Sequence, residues 1–276
     1  MAKLKQQVKR LMIQLGTIPL MNELHFRFCQ IWFYRKNKLY KLPLKRFVFP
    51  SDRALFYTYK LNHQSYFEDG QLAAQEMIEW GQIHQIKTPI ILDWGCGTGR
   101  VVRHMPFLQP NIVCYAADTD QMMIEWCKQS IEGVFFDSIT ANSLPYPSQY
   151  FHLVYGISVL THIPYQETLH WINELHRVLQ PNGIAILSTH GRHFFDQINQ
   201  TEINNLLEQG AFTTAFHQKG HRSMTTYHEQ LFFKSLLMPQ FDILNYWDGT
   251  LYPEKMGGQD CWVIQKKSRL QAATGI

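Results

Sequence analysis

The sequence lacks several features, and each absence narrows the field. Its five cysteines (Cys29, Cys96, Cys114, Cys127 and Cys261) are odd in number and contain no Cys-x-x-Cys pair. That pattern argues against a zinc knuckle or a disulfide framework and fits a reducing compartment. No run approaches the roughly 18 consecutive apolar residues of a membrane-spanning helix. No leader with a small-residue cleavage site is expected either, so the anticipated setting is the cytoplasm. Internal repeats and low-complexity stretches are missing. Acidic residues are almost absent from the first fifty positions, where eleven Lys and Arg stand beside Glu23 alone, a local charge of +10. The remaining 226 residues hold 15 basic and 21 acidic groups, close to −6. A mildly acidic body therefore carries a strongly basic amino-terminal arm.

What is present describes a globular protein. A chain of 276 residues can bury one large α/β core with an added cap or arm. The aromatic fraction of 14% is high and hints at a site or surface built with rings. Within the arm, Leu4, Val8, Leu11, Met12 and Leu15 lie at helical spacing, with Lys3, Lys5, Lys9 and Arg10 between them. Such a helix either sits on an anionic membrane surface or acidic chain, or packs on its own domain with a solvated basic face. The inner face of the membrane is thus a second expected location.

From about residue 88, short apolar runs alternate with amphipathic stretches, the mark of a parallel sheet covered by helices. The pattern predicts strands near 89–93, 112–117, 133–137, 151–156 and 184–189, and helices near 98–107, 121–130 and 166–179. After a stretch of mixed character, a helix over 228–238 and strands over 241–247 and 260–266 follow. Residues 50–87 read as helical, with Leu72, Ala73, Met77 and Ile78 as an apolar stripe, packing on the core. Residues 1–49 form the arm, 88–268 the main domain and 269–276 a tail.

The chemistry begins at residues 92–100, Leu-Asp-Trp-Gly-Cys-Gly-Thr-Gly-Arg, directly behind the run Ile90-Ile91-Leu92. A buried strand entering a glycine-dense turn brings backbone against a bound nucleotide. Gly95, Gly97 and Gly99 alternate, and Arg100 stands where a dinucleotide fingerprint would need its third glycine. Asp93 suits a ligand carrying an ammonium group, and S-adenosylmethionine (SAM), an amino acid joined to adenosine, fits. The segment resembles motif I of class I SAM-dependent methyltransferases.

Three further elements resemble that family in order and spacing. The strand Ile112–Ala117 ends at Asp118, nineteen residues past Gly99. A carboxylate there can accept hydrogen bonds from both ribose hydroxyls, or it could instead cap the helix starting near Asp120. The segment Ala141-Asn142-Ser143-Leu144-Pro145 resembles the loop that meets the adenine. It departs from the pattern, with Thr140 where the family's acid would fall and His152 in place of the usual Asp of Phe-Asp-Leu-Val. The run Leu179-Gln180-Pro181-Asn182-Gly183 looks like the Pro-Gly turn before the fifth strand, with Asn182 supplying a left-handed backbone.

The resemblance implies a Rossmann-like seven-stranded sheet, mostly parallel with an antiparallel last strand, helices on both faces and an amino-terminal helical extension. It implies SAM as cofactor, held by Asp93, Gly95, Cys96, Gly97, Gly99, Asp118, Thr119, Thr140, Ala141, Asn142 and Gly156. The stretches 99–104, 158–163, 187–191 and 258–264 are closer still to bacterial methyltransferases of glycan and polysaccharide assembly.

Methyl transfer needs alignment of nucleophile, methyl and sulfur, and an oxygen nucleophile gains from a base. His162 and His190 fall just past strands four and five, on the edge that faces the ligand crevice. Each is either that base or a structural hydrogen-bond partner. His190 and His193 lack a third ligand, so no metal is expected. Residues 191–227 sit where family members place substrate-covering elements, and Arg192, His193, Arg222 and Tyr227 are candidates for binding the acceptor. That acceptor is expected to be a sugar hydroxyl or another polar small molecule. The rivals are N- or C-methylation of a metabolite or lipid headgroup, and a SAM-binding partner protein without chemistry. No Asn/Asp-Pro-Pro-Tyr/Phe tetrad is present, so nucleic acid is not expected.

Overall fold

The apolar runs of the second half become strands because both of their faces are covered. In the computed structural model, which describes residues 18–44, 47–140, 142–215 and 224–268, Ile91, Leu92, Leu153 and Val154 are fully buried. The chain divides between Ala73 and Ala74 into two compact units.

The larger unit holds strands β1 (Ile90–Trp94), β2 (Val113–Asp118), β3 (Val134–Ser138), β4 (Phe151–Gly156) and β5 (Leu179–Thr189). Beyond them come β6 (Ala211–Ala215), β7 (Met224–His228), β8 (Phe241–Trp247) and β9 (Asp260–Lys266). Seven of them form one sheet in the order β3-β2-β1-β4-β5-β9-β8. The first five are parallel, while β9, the last in the chain, runs antiparallel to both β5 and β8. Chain order reverses at β1, whose neighbours are β2 and β4, so a crevice opens beyond the carboxyl ends of β1 and β4.

Helices cover both faces. Trp171, Ile172 and Leu175 of one helix (Thr168–Val178) and Phe233 and Leu237 of another (Gln230–Leu237) share a core with Leu92, Trp94, Val154 and Trp262. On the other face, the turn after the helix His63–Trp80 packs Gly81 so tightly on Leu153 that a Cβ there would lie 2.8 Å from its methyl. In chain order the helices are α1 (Ile18–Lys41), α2 (Asp52–Tyr59), α3 (His63–Trp80), α4 (Met105–Leu108), α5 (Gln121–Ser130), α6 (Thr168–Val178), α7 (Gln200–Gln209) and α8 (Gln230–Leu237).

Several expectations need correction. The helix expected over 98–107 is a 3-10 turn, Val102–His104, followed by the four-residue α4. Left-handed backbone persists through Gly99, which delays the helical conformation. Strand β5 starts at Leu179, paired with Phe151, rather than at 184, and Asn182 within it does adopt φ 62. Leu72 is 57% exposed, and the buried stripe of α3 instead passes through Ala73, Ala74 and Met77.

The stretch of mixed character after β5 contains a 3-10 turn (Arg192–Gln197), α7 and the antiparallel β6–β7 hairpin. A small core of Ile198, Leu206 and Tyr227 holds these pieces together. The Asn199 side chain caps α7 reciprocally with Glu202, and Gly210 at φ 78 ends it.

The smaller unit builds its own core on α1 and α2. Phe26, Cys29, Leu55, Phe56, Leu61 and Tyr66 are buried, with Phe33, Phe47, Phe49 and Tyr59 against them. What the sequence presents as a basic arm thus includes a 24-residue helix with a packed aromatic face. The basic helical pattern of residues 3–15 and the tail 269–276 lie outside the described residues.

Candidate active site

Three glycines behind β1 shape the loop for different reasons. Gly95, at φ 74, lies where a Cβ would approach Val159 to 2.4 Å. Its N–H and that of Cys96 donate to the Ala117 carbonyl at the end of β2 (2.7 and 3.2 Å). Gly99 packs on Ile131, and a Cβ there would come within 2.6 Å of its methyl. Gly97, at φ 51, differs: a Cβ would meet nothing within 4 Å. Its outer face borders open space beside two carboxylates, the room a ligand needs for close backbone approach.

Those carboxylates are Asp93 and Asp118. Asp118 accepts from the Gly97 N–H (2.8 Å) through one oxygen and from the Asp120 N–H (2.9 Å) through the other. Asp120, not Asp118, caps α5, accepting from the Met123 N–H at 3.0 Å. Asp118 is therefore fixed in place with lone pairs left for ligand hydroxyls. Asp93 is 5% exposed. Burial drives its pKa up to about 7, opposed by the Tyr155 hydroxyl, the Arg100 charge and the Val102 N–H, and reinforced by the negative Asp118. A buried carboxyl group with this tendency gains from an arriving cation. The arrangement fits SAM: an ammonium for Asp93, ribose hydroxyls for Asp118, and the open side of Gly97 between them.

Gly156 ends β4 against Trp94, where a Cβ would lie 2.6 Å from the indole. Thr119, Thr140 and Asn142 are exposed at the strand ends and the following loop. Ala141 lies outside the described residues. That loop is tied to α6: the Leu144 N–H donates to Glu174 (2.9 Å), while Arg177 donates to the carbonyls of Leu144 (3.1 Å) and Tyr146 (2.7 Å) and to Glu174 (2.8 Å). His170 binds the Asn142 carbonyl. His152 sits at the opposite end of its strand, accepting from the Ile90 N–H at 3.1 Å. Its departure from the family pattern falls away from the crevice.

On the acceptor side, His162 and His190 come together. His162, exposed on the turn after β4, meets the Met224 carbonyl of the hairpin through Nδ1 (3.3 Å). Just past β5, His190 stacks near Phe194 with ring centroids 4.3 Å apart. Burial lowers its pKa to about 4, helped by the charge of His162. At neutral pH it is uncharged, and as a base it is weaker than a free histidine. The hairpin is fastened over these strand ends. Thr226 donates to the Ile163 carbonyl (2.6 Å), the Tyr165 N–H to Thr213 (3.0 Å) and the His228 N–H to the His190 carbonyl (3.0 Å).

Beside the histidines lies a polar set that the sequence reading did not single out. The Ser158 N–H donates to Ser188 Oγ (2.7 Å), the Ser188 hydroxyl to Gln259 Oε1 (2.8 Å), and the Gln259 amide to Ser158 Oγ. Ser158 holds φ 64, an unusual backbone for a non-glycine at the mouth of a crevice. Asp260, buried, is pushed up to about 6 by burial, while accepting from Gly249 N–H (2.9 Å) and Tyr246 hydroxyl (3.0 Å). The available signal was a polar residue interrupting each apolar strand, Ser188 in β5 and Asp260 opening β9.

Arg192 and His193 lie exposed on the 3-10 turn, with the His193 ring against Gly258. Tyr227 is 3% exposed and belongs to the small core under the hairpin. Arg222 lies outside the described residues. Among the described residues, no three His, Cys, Asp or Glu side chains converge on a metal-sized point.

Comparison with known proteins agrees with this geometry. Residues 91–183 match a family described as a methyltransferase domain. A SAM-dependent methyltransferase of Methanosarcina mazei superposes with a TM-score of 0.52 at 19% identity, covering 67% of this chain and 96% of that one. A Pyrococcus horikoshii protein gives 0.52 at 18%, covering 78% and 96%. The 1,6-didemethyltoxoflavin-N1-methyltransferase of Burkholderia thailandensis, solved with S-adenosylhomocysteine, gives 0.53 at 15%, covering 79% and 86%. At these identities the likeness is one of fold. Sheet order and glycine loop are those of the class I methyltransferase fold, and residues 91–183 match a methyltransferase domain, which makes the protein an enzyme whose methyl donor is SAM.

Proposed function

We propose that the enzyme methylates a hydroxyl of a sugar or other polar small molecule, as the glycan-associated bacterial methyltransferases it resembles do. The carrying observation is the polar ring of Ser158, Ser188 and Gln259 beside His162 and His190 under the hairpin. Bound SAM supplies an electrophilic methyl on a positively charged sulfur. Asp93 receives its ammonium, Asp118 its ribose, and the loop 140–143 its adenine. Neutral His190 accepts a hydrogen bond from the acceptor and orients it, and exposed His162 takes up the proton. Arg192 and His193 line the acceptor's side, and buried Tyr227 supports it from the small core.

The weakened basicity of His190 favours one second reading, methylation of an amine, which needs less help from a base. The basic arm, in either case, holds the enzyme against an acidic membrane surface. Single-turnover rates at saturating SAM separate the readings. Hydroxyl transfer predicts that His162→Ala slows the step by about 10²-fold or more, with the product carrying an O-methyl. Rates within threefold of wild type for both His162→Ala and His190→Ala would remove base catalysis by these residues and favour the amine.

A further inference from the structure

Helix α1 is apolar on two opposite faces, and among the described residues only one is packed in a core. Phe26 and Cys29 are buried and Phe33 is half-buried, all in the core shared with α2 and with Leu61 and Tyr66. Around the other side, at steps of three and four residues, stand Leu20 (62% exposed), Leu24 (56%), Phe28 (59%), Ile31 (80%) and Trp32 (70%), with Leu39 (58%) seven residues further on, beyond Arg35 and Lys36. Phe28 and Trp32 stack on each other, ring centroids 5.8 Å apart. Scattered exposed apolar residues are ordinary, but a stripe running from Leu20 to Trp32 marks a contact surface.

Charge identifies the occupant. Arg27, Arg35, Lys36 and Lys38 are exposed on the same helix. The one acid of the first fifty residues, Glu23, is already paired with Arg27 (2.9 Å) and with Arg53. A second copy of the chain would set one +10 arm against another. Nucleic acid would engage the cations but leave six large apolar side chains with nothing to bury them. Among the described residues, no helix is long and apolar enough to cross a membrane. An anionic lipid surface satisfies both halves of the pattern, taking the apolar side chains into the acyl boundary and the cations at the phosphates. Trp32 and Tyr34 then sit at the headgroup level, where aromatic rings with polar atoms partition.

We propose that the outward face of α1, residues 20–39, is an interfacial anchor that lies flat on an anionic phospholipid surface. The expected amphipathic segment at residues 3–15 is a separate stretch. This inference names the contact face for the membrane association proposed above and does not depend on the acceptor.

The test is co-sedimentation of the full-length protein with phosphatidylcholine vesicles, with and without phosphatidylserine. The proposal requires saturable binding to the anionic vesicles, weakened by salt and at least tenfold weaker to neutral ones. The double variant Phe28→Glu/Ile31→Glu should lose at least tenfold of that binding while keeping its affinity for SAM, which shows that it is folded. A wild-type protein that fails to bind SAM would sink the enzyme reading and leave this one standing. Three results overturn the anchor: no binding to anionic vesicles, binding untouched by the double variant, or a vesicle-free dimer that the variant splits.

Discussion

At the scale of single residues, Asp93 is where burial and function meet most directly. Taking the carboxyl out of water raises its pKa from 3.8 to about 7. In the free enzyme it is therefore partly protonated at neutral pH, and an incoming ammonium favours the charged form. SAM binding should then release a proton. Affinity rises with pH up to about 7 and levels off above it, with a fall of up to tenfold per unit on the acid side. Calorimetry in buffers of different ionisation enthalpy reads the proton release directly, and an affinity flat from pH 5.5 to 7.5 would remove the ammonium role. Asp93, the glycines and Asp118 were legible because their spacing along the chain encodes the loop. Ser158, Ser188, Gln259 and Asp260 were not, because segments 30 and 101 residues apart converge only in the fold.

At the scale of elements, apolar runs foretold the strands of the sheet to within a residue, apart from the early start of β5 at Leu179, since continuous burial on both faces leaves a continuous pattern. The hairpin escaped because β6 and β7 pair Thr213 with Thr226 and Thr214 with Thr225. Threonines at successive positions of both strands, bonded to one another and to Ile163 and Tyr165, erase the alternation that would have revealed it. Helix α1 escaped for the opposite reason, being apolar on two sides and so showing no single stripe. Helix α6 holds its neighbouring loop through Arg177, which makes two backbone contacts to that loop and an ion pair with Glu174 at once. Arg177→Ala should free the loop 142–147, raising KM for SAM several-fold while kcat changes little. It should also lower the melting temperature by a few degrees, given about 1–3 kcal/mol for a charged donor's lost bonds. Steady-state kinetics beside a thermal melt check both parts, and an unchanged KM would show that the loop does not hold the cofactor.

At the scale of the whole molecule, the unit after Ala73 holds the sheet, the glycine loop and the covering hairpin, and the unit before it holds the basic, aromatic α1. Sequence alone separated a basic beginning from an acidic body by charge. It could not show that the beginning has its own core, because Phe26, Cys29 and Phe33 fall at helical spacing among cations. The account as a whole rests on one ligand in one crevice. The most direct test is calorimetric titration of SAM into the wild-type protein and into Asp118→Ala. Two ribose hydrogen bonds to a charged acceptor are worth about 1.5–3 kcal/mol each. The account predicts one saturable SAM site per chain and a loss of tenfold or more in the variant. A variant that folds and binds SAM as tightly as wild type, or a wild type that binds none, would contradict it.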